Sequence, residues 1–113
     1  MNVLLRIIIT AILVMVIAHF MPGVSVASFT TSIIVAVVLG LLNVFIKPIL
    51  ILLTLPVTLL TFGLFLLVIN ALMILLCSEI VGGFHVESFW TAILFSIILS
   101  ISQSILHRLS DNK

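Results

Sequence analysis

The chain has 113 residues, of which 65% are hydrophobic and only 6% are charged, and its mean hydropathy is +1.66. About a quarter of the residues in a soluble domain are charged, so this composition excludes an ordinary soluble protein. The formal net charge of +1, without a basic run, gives no indication of a nucleic-acid partner. One cysteine, Cys77, excludes an internal disulfide. Length and composition therefore predict one membrane domain whose partner is the lipid bilayer.

Four apolar runs follow one another along the chain, and each ends at a charge or at a helix-breaking residue. A helix needs about 20 apolar residues to cross the hydrocarbon of a bilayer. Each run is close to that length, so the pattern predicts four transmembrane helices. They cover approximately residues 3–21, 29–47, 62–81 and 89–107.

The first run has an alternative interpretation as a secretory signal peptide. It begins with a short basic segment at Arg6, and Ser25-Val26-Ala27 resembles a cleavage site. The apolar stretch is longer than a usual signal core, however, and its pattern recurs later in the chain. We therefore expect the first run to be a retained transmembrane helix.

The second half of the sequence echoes the first at an offset of sixty residues. The turn Pro22–Phe29 superposes on Gly82–Phe89, including a Ser-Phe pair at its end. Polar residues within the runs also correspond: Thr10 with Asn70, His19 with Glu79, and Asn43 with Gln103. We interpret this as an internal repeat of a helical hairpin, with repeat 1 at about 1–47, a linker at 48–61 and repeat 2 at about 62–107.

The linker at 48–61 is too apolar for a cytoplasmic loop. A fifth span is disfavoured because the segment has only fourteen residues and contains Pro48 and Pro56. The remaining alternatives are a short helix in the membrane interface and a re-entrant turn buried by neighbouring helices. The predicted fold class is thus an all-α membrane protein with four transmembrane helices. They form two parallel-oriented helical-hairpin repeats with a short interfacial or re-entrant segment between them.

The basic residues predict the orientation in the membrane. Four spans place Arg6, Lys47, Arg108 and Lys113 on one side, whereas the turns near 22–28 and 82–88 contain neither Lys nor Arg. The positive-inside rule then puts both termini in the cytoplasm and both turns outside. We expect Arg6, Lys47, Trp90 and Arg108 to act as interface anchors, because basic and indole side chains favour the headgroup region.

Small residues recur at every fourth position in the second and fourth runs. Such stripes let membrane helices approach closely, and they can also mark a self-association face or a pore lining. The alternative is packing within one molecule, with the second and fourth helices meeting at the pseudo-twofold axis. The candidate residues for helix packing or pore lining are Ser32, Ala36, Gly40, Ala92, Ser96, Ser100 and Ser104.

Three amides, Asn43, Asn70 and Gln103, lie inside apolar runs, where an unpaired amide is costly. Asn70 is the deepest, and we expect it to form an interhelical hydrogen bond. His19, Glu79, His85 and Glu87 fall near the outer surface, but no spacing among them predicts a metal site. The sequence offers no catalytic constellation, cofactor site or small-molecule site, so we do not expect an enzyme.

Two motifs carry a family resemblance. They are Asn-x-x-x-Lys-Pro at Asn43–Pro48 and Gly-Leu-x-x-x-x-x-Asn-Ala at Gly63–Ala71, accompanied by Gly82-Gly83-Phe84 before Phe89-Trp90. They resemble the four-span phage holin family 4, superfamily IV, which includes the YvlD-type bacterial membrane proteins. The resemblance implies a bacterial inner-membrane protein, and the family name implies pore formation by a homo-oligomer. The second hypothesis is a non-lytic structural or regulatory membrane component linked to envelope stress.

Overall fold

The computed structural model describes residues 2–111, except for the side chains of residues 107, 110 and 111. Six helices and two short strands make up this part of the chain. In order they are α1 (Val3–Phe20), β1 (Val24–Val26), α2 (Phe29–Phe45), α3 (Lys47–Leu53), α4 (Leu55–Leu60), α5 (Phe65–Ile80), β2 (Phe84–Val86) and α6 (Phe89–Asp111).

Side-chain caps fix the starts of three of the long helices. Asn2 Oδ1 accepts a hydrogen bond from the amide of Leu5 at 2.7 Å at the start of α1. The hydroxyl oxygens of Ser28 and Ser88 accept hydrogen bonds at 3.2 and 3.3 Å from amides three residues further along α2 and α6. Each cap satisfies a backbone donor that has no partner inside its own helix.

Three helical segments are long and apolar enough to cross a membrane: Val3–Phe20, Phe29–Leu53 and Phe89–Leu106. The second includes both α2 and α3. The remaining apolar helix, α5, has 16 residues, which corresponds to about 24 Å at 1.5 Å per residue. All four predicted apolar helices are therefore present, and α5 is shorter than expected.

A turn at Thr61–Leu64 accounts for the late start of α5. Phe62 and Gly63 both have positive φ angles, 56° and 87°. The amides of Phe62 and Gly63 donate to the carbonyls of Leu59 and Thr58, a Schellman pattern that ends α4. The helix predicted from residue 62 therefore begins only at Phe65.

The four long helices pack in a ring around an apolar core. Helix α1 contacts α2 and α6, and α5 contacts the same two helices from the other side. The largest fully buried side chains lie where these helices meet: Val14, Val35, Ile69, Met73, Ile74 and Phe95. The interior of the ring is thus filled by packed side chains.

Strands β1 and β2 join the two inter-helix turns in an antiparallel ribbon, which the sequence did not predict. Val24 pairs with Val86, Ser25 with His85, and Val26 with Phe84. Two flanking backbone bonds extend the ribbon: the amide of Ala27 donates to Gly83 at 2.8 Å, and the amide of Glu87 donates to Gly23 at 2.7 Å. The ribbon faces the core with Val24, Phe84 and Val86, which are buried.

Two prolines divide the linker into short helices. Pro48 and Pro56 stand in the first turns of α3 and α4, where a missing N–H costs no helical hydrogen bond. Helix α2 starts at the ribbon and α5 ends at it. The linker therefore leaves and rejoins the bundle at the end opposite the ribbon. This end also carries Arg6, Lys47 and Arg108.

Candidate functional site: a polar cleft opposite the ribbon

The candidate small residues separate into a buried and an exposed group. Ser32, Ala36, Ala92 and Ser96 are buried near the ribbon end of α2 and α6. Gly40, Ser100 and Ser104 are exposed further along the same helices. The expectation that α2 and α6 meet at the centre is wrong, because each packs between α1 and α5. The buried small residues instead serve contacts between neighbouring helices of the ring.

The three intramembrane amides differ in their surroundings. Gln103 Nε2 donates a hydrogen bond of 2.8 Å to Thr10 Oγ1 and so links α6 to α1. Asn43 is exposed and Asn70 is half-buried. Within residues 2–111, the amide of Asn70 makes no side-chain hydrogen bond, contrary to the expectation. The interhelical bond predicted for Asn70 is made by Gln103, whose longer side chain reaches the neighbouring helix.

A cleft of about 350 Å³ opens beside the Thr10–Gln103 bond. Helices α1, α2 and α6 form its walls. Its polar lining consists of Arg6, Thr10, Asn43 and Gln103. Its apolar lining includes Val3, Ile7, Val37, Leu41 and Val44. The cleft therefore combines apolar walls with several hydrogen-bonding groups at the end opposite the ribbon.

Arg6 gives the cleft a positive charge. Its guanidinium remains protonated, and no acidic residue is among the lining residues. Gly40 lies on the α2 wall, and a Cβ added there would meet nothing within 4 Å. The cleft thus has open space next to a cation and an exposed amide.

A second depression, of about 510 Å³, lies at the ribbon end. Its polar lining includes Ser25, Ser78, Glu79 and His85. In the part of the chain that the structure describes, no three residues among His, Cys, Asp and Glu cluster as metal ligands. His19, Glu79, His85 and Glu87 are all exposed. Solvated surface positions account for these four residues.

The predicted anchors lie at the two ends of the bundle. Trp90 is 72% exposed at the start of α6, and its ring packs edge-on against Phe89 at a centroid distance of 6.0 Å. Arg6 and Arg108 are exposed, and Lys47 is partly exposed. Sequence reasoning did not predict that Thr10 and Gly40 belong to the same site as Arg6. The correspondence of Thr10 with Asn70 and of Asn43 with Gln103 was the available signal.

Long apolar helices, an apolar outer surface and charges confined to the helix ends define this chain as a polytopic α-helical membrane protein. The sequence profile of the family described as "Mycobacterial 4 TMS phage holin, superfamily IV" matches residues 1–105. The chain belongs to this holin-like family of membrane proteins, which confirms the resemblance carried by its motifs. The family is not a known family of enzymes.

Two bacterial relatives are similar to this chain. The "Uncharacterized membrane protein YvlD" of Bacillus subtilis (strain 168) is 44% identical over 96 residues, which cover 84% of this chain and 81% of that protein. The "Uncharacterized protein SCO3922" of Streptomyces coelicolor is 52% identical over 75 residues. That match covers 63% of this chain and 60% of the Streptomyces protein. No solved structure matches the chain.

Proposed function

We propose that this chain is a self-associating protein of the bacterial inner membrane that uses one face of α6 to contact further copies. The observation that carries this proposal is the exposure of Ser100 and Ser104 on an otherwise apolar surface. Their neighbours Ile101 and Ile105 are 56% and 54% exposed. Small hydroxyl residues on an outer helix face favour close helix–helix contact.

The packed interior places a conducting path between copies of the chain. Phe95, Val14 and Val35 are 0% exposed and Met73 is 1% exposed, so side chains occupy the centre of the ring. A lesion of the holin type would then form where several α6 faces meet, with Ser100 and Ser104 turned toward water. This arrangement is the pore-forming function that we propose.

A non-lytic structural or regulatory role linked to envelope stress is the second candidate. The β1–β2 ribbon favours it, because backbone hydrogen bonds tie the two turns together and stabilise a compact bundle. A bundle closed in this way has less freedom to rearrange into a large lesion than four independent helices have.

Both candidates include two copies of one hairpin in the same orientation, with repeat 1 at about 1–47 and repeat 2 at about 62–107 joined by the linker at 48–61. The ribbon supports this proposal, because its central pair, Ser25 and His85, differs by the sixty-residue offset. Gly23 and Gly83, at the same offset, have the same φ of +91°. The positive-inside rule supports cytoplasmic termini, with Arg6, Lys47 and Arg108 at the cytoplasmic end.

Controlled expression in a bacterial host with a membrane-potential dye separates the two candidates. For pore formation we expect abrupt depolarisation by the wild-type chain and its loss in the S100L/S104L double variant at equal membrane levels. The I101L/I105L double variant is the matched control, since it changes exposed positions of α6 without changing polarity, and it should depolarise like the wild type.

Normal potential and growth at high wild-type levels would reject pore formation and leave the non-lytic role. Depolarisation that is equal in the wild type and S100L/S104L would reject the assignment of the α6 face. Energy transfer between two differently labelled copies reports self-association in both cases, and its absence would overturn the oligomer itself.

A further inference from the structure

We propose that the cleft between α1, α2 and α6 binds the headgroup of one anionic phospholipid. The first support is charge. Arg6 lines the cleft and no acidic residue does, so the site is complementary to a phosphodiester that bears a net negative charge. A guanidinium presents several N–H donors in a planar fork that matches phosphate oxygens.

The second support is the set of donors around this charge. Asn43 is exposed on the α2 wall, and its side-chain amide has no hydrogen bond among the described residues. Gln103 is held in place by its 2.8 Å bond to Thr10. An amide at membrane depth is costly unless it finds a partner. Phosphate and glycerol oxygens of a headgroup supply acceptors for Arg6 and Asn43 together.

The third support is the apolar wall, which selects a lipid over free phosphate. Val37, Leu41 and Val44 continue the cleft along the outer surface of α2 and are 39%, 53% and 65% exposed. Inorganic phosphate gains nothing from these side chains, whereas an acyl chain packs along them. The volume of about 350 Å³ holds a headgroup and leaves the tails in the bilayer.

The fourth support is that the offset position in the second half of the chain lacks the charge. Leu66 stands sixty residues after Arg6, and Ser100 stands sixty residues after Gly40. Only the first-half cleft therefore pairs a cation with open space at a glycine. We expect one bound lipid per chain rather than two.

Native mass spectrometry of the purified full chain tests the proposal. Dioleoyl-phosphatidylglycerol and dioleoyl-phosphatidylcholine are added in equal amounts, and the ratio of the two singly bound species is measured. We expect the wild type to favour phosphatidylglycerol about fivefold, which corresponds to one basic group interacting with an anionic lipid. The variant R6Q should lower this ratio to about 1, while R108Q, which removes another exposed cation at the same end, should leave it within about twofold of the wild type.

A second variant pair separates a shaped site from a general effect of charge. G40L fills the cleft and keeps Arg6, and we expect it to lower phosphatidylglycerol occupancy about tenfold. S100L adds a leucine at the offset position outside the cleft and should keep the wild-type occupancy. The thermal midpoint of every variant is measured in the same detergent, so that loss of the fold is distinguished from loss of the lipid.

Three results would overturn the proposal. Equal loss of preference in R6Q and R108Q would reduce the effect to nonspecific attraction by surface charge. Retention of the wild-type occupancy by folded G40L would place the lipid outside the cleft. Displacement of phosphatidylglycerol by millimolar inorganic phosphate would make the ligand a free anion rather than a lipid.

Discussion

Replacing Phe95 with alanine is expected to lower the free energy of unfolding by about 3 kcal/mol. Phe95 on α6 is 0% exposed, and its ring lies 6.0 Å from that of Phe84 on β2. The truncation leaves a cavity where the ribbon packs on the helices. Lost packing contacts around this cavity carry the cost in a membrane protein, since the core and the lipid are similarly apolar.

Phe20→Ala is the matched control, because Phe20 is 78% exposed at the end of α1. We expect its unfolding free energy to lie within about 0.5 kcal/mol of the wild type. Both variants are measured by titrating the purified protein with a denaturing detergent and following helix content. A loss for Phe20→Ala as large as that for Phe95→Ala would contradict the assigned core.

Replacing Gly83 with alanine is expected to cost about 2 kcal/mol of unfolding free energy, because strain and a clash act together. Gly83 has a φ of +91°, a conformation that disfavours any side chain. A Cβ at this position would lie 3.1 Å from the Cβ of Ala27 and 3.3 Å from Thr31 atoms. The substitution therefore strains the turn that carries β2 and presses on the start of α2.

Gly82→Ala provides a control one residue away. A Cβ at Gly82 meets nothing within 4 Å, and its φ is not positive, so we expect little change. Gly23→Ala should repeat the loss seen for Gly83→Ala, because its Cβ would lie 3.0 Å from Glu87 Oε2 at the same φ of +91°. Equal stability of Gly82→Ala and Gly83→Ala in thermal unfolding would contradict the ribbon geometry.

The helices were predictable because their signals are long and redundant. Each apolar run extends for about five turns and ends at a polar, proline or glycine signal, so an error in one residue changes little. The starts of α2 and α6 at Phe29 and Phe89 coincide with the predicted starts, and Ser28 and Ser88 supply the caps.

The ribbon could not be predicted, because its strands have three residues each and lie far apart in the sequence. A period-2 pattern needs about four to eight residues to be recognised. The late start of α5 was hidden for a similar reason. Phe62 adopts a positive φ that bulky side chains disfavour, so composition gave no warning of the turn.

The cleft depends on distances that a single sequence does not encode. Arg6 was predicted only as an anchor, and Gly40 only as part of a small-residue stripe. Their common site requires that α1 and α2 pack side by side and that Gln103 reaches Thr10 from α6. The sixty-residue correspondence related the polar positions to each other but could not give the partner of each side chain.

Cross-linking of the double variant S25C/H85C tests the central claim, that two hairpins of the same orientation meet through their turns. Ser25 and His85 are partners in the register of the ribbon, and both are exposed. We predict rapid oxidation to a disulfide within one chain in native membranes, detected as a linked peptide pair from monomer-sized protein. S25C/S104C, whose positions lie at opposite ends of the bundle, should remain reduced. Failure of S25C/H85C to cross-link while S25C/S104C does so would contradict the account.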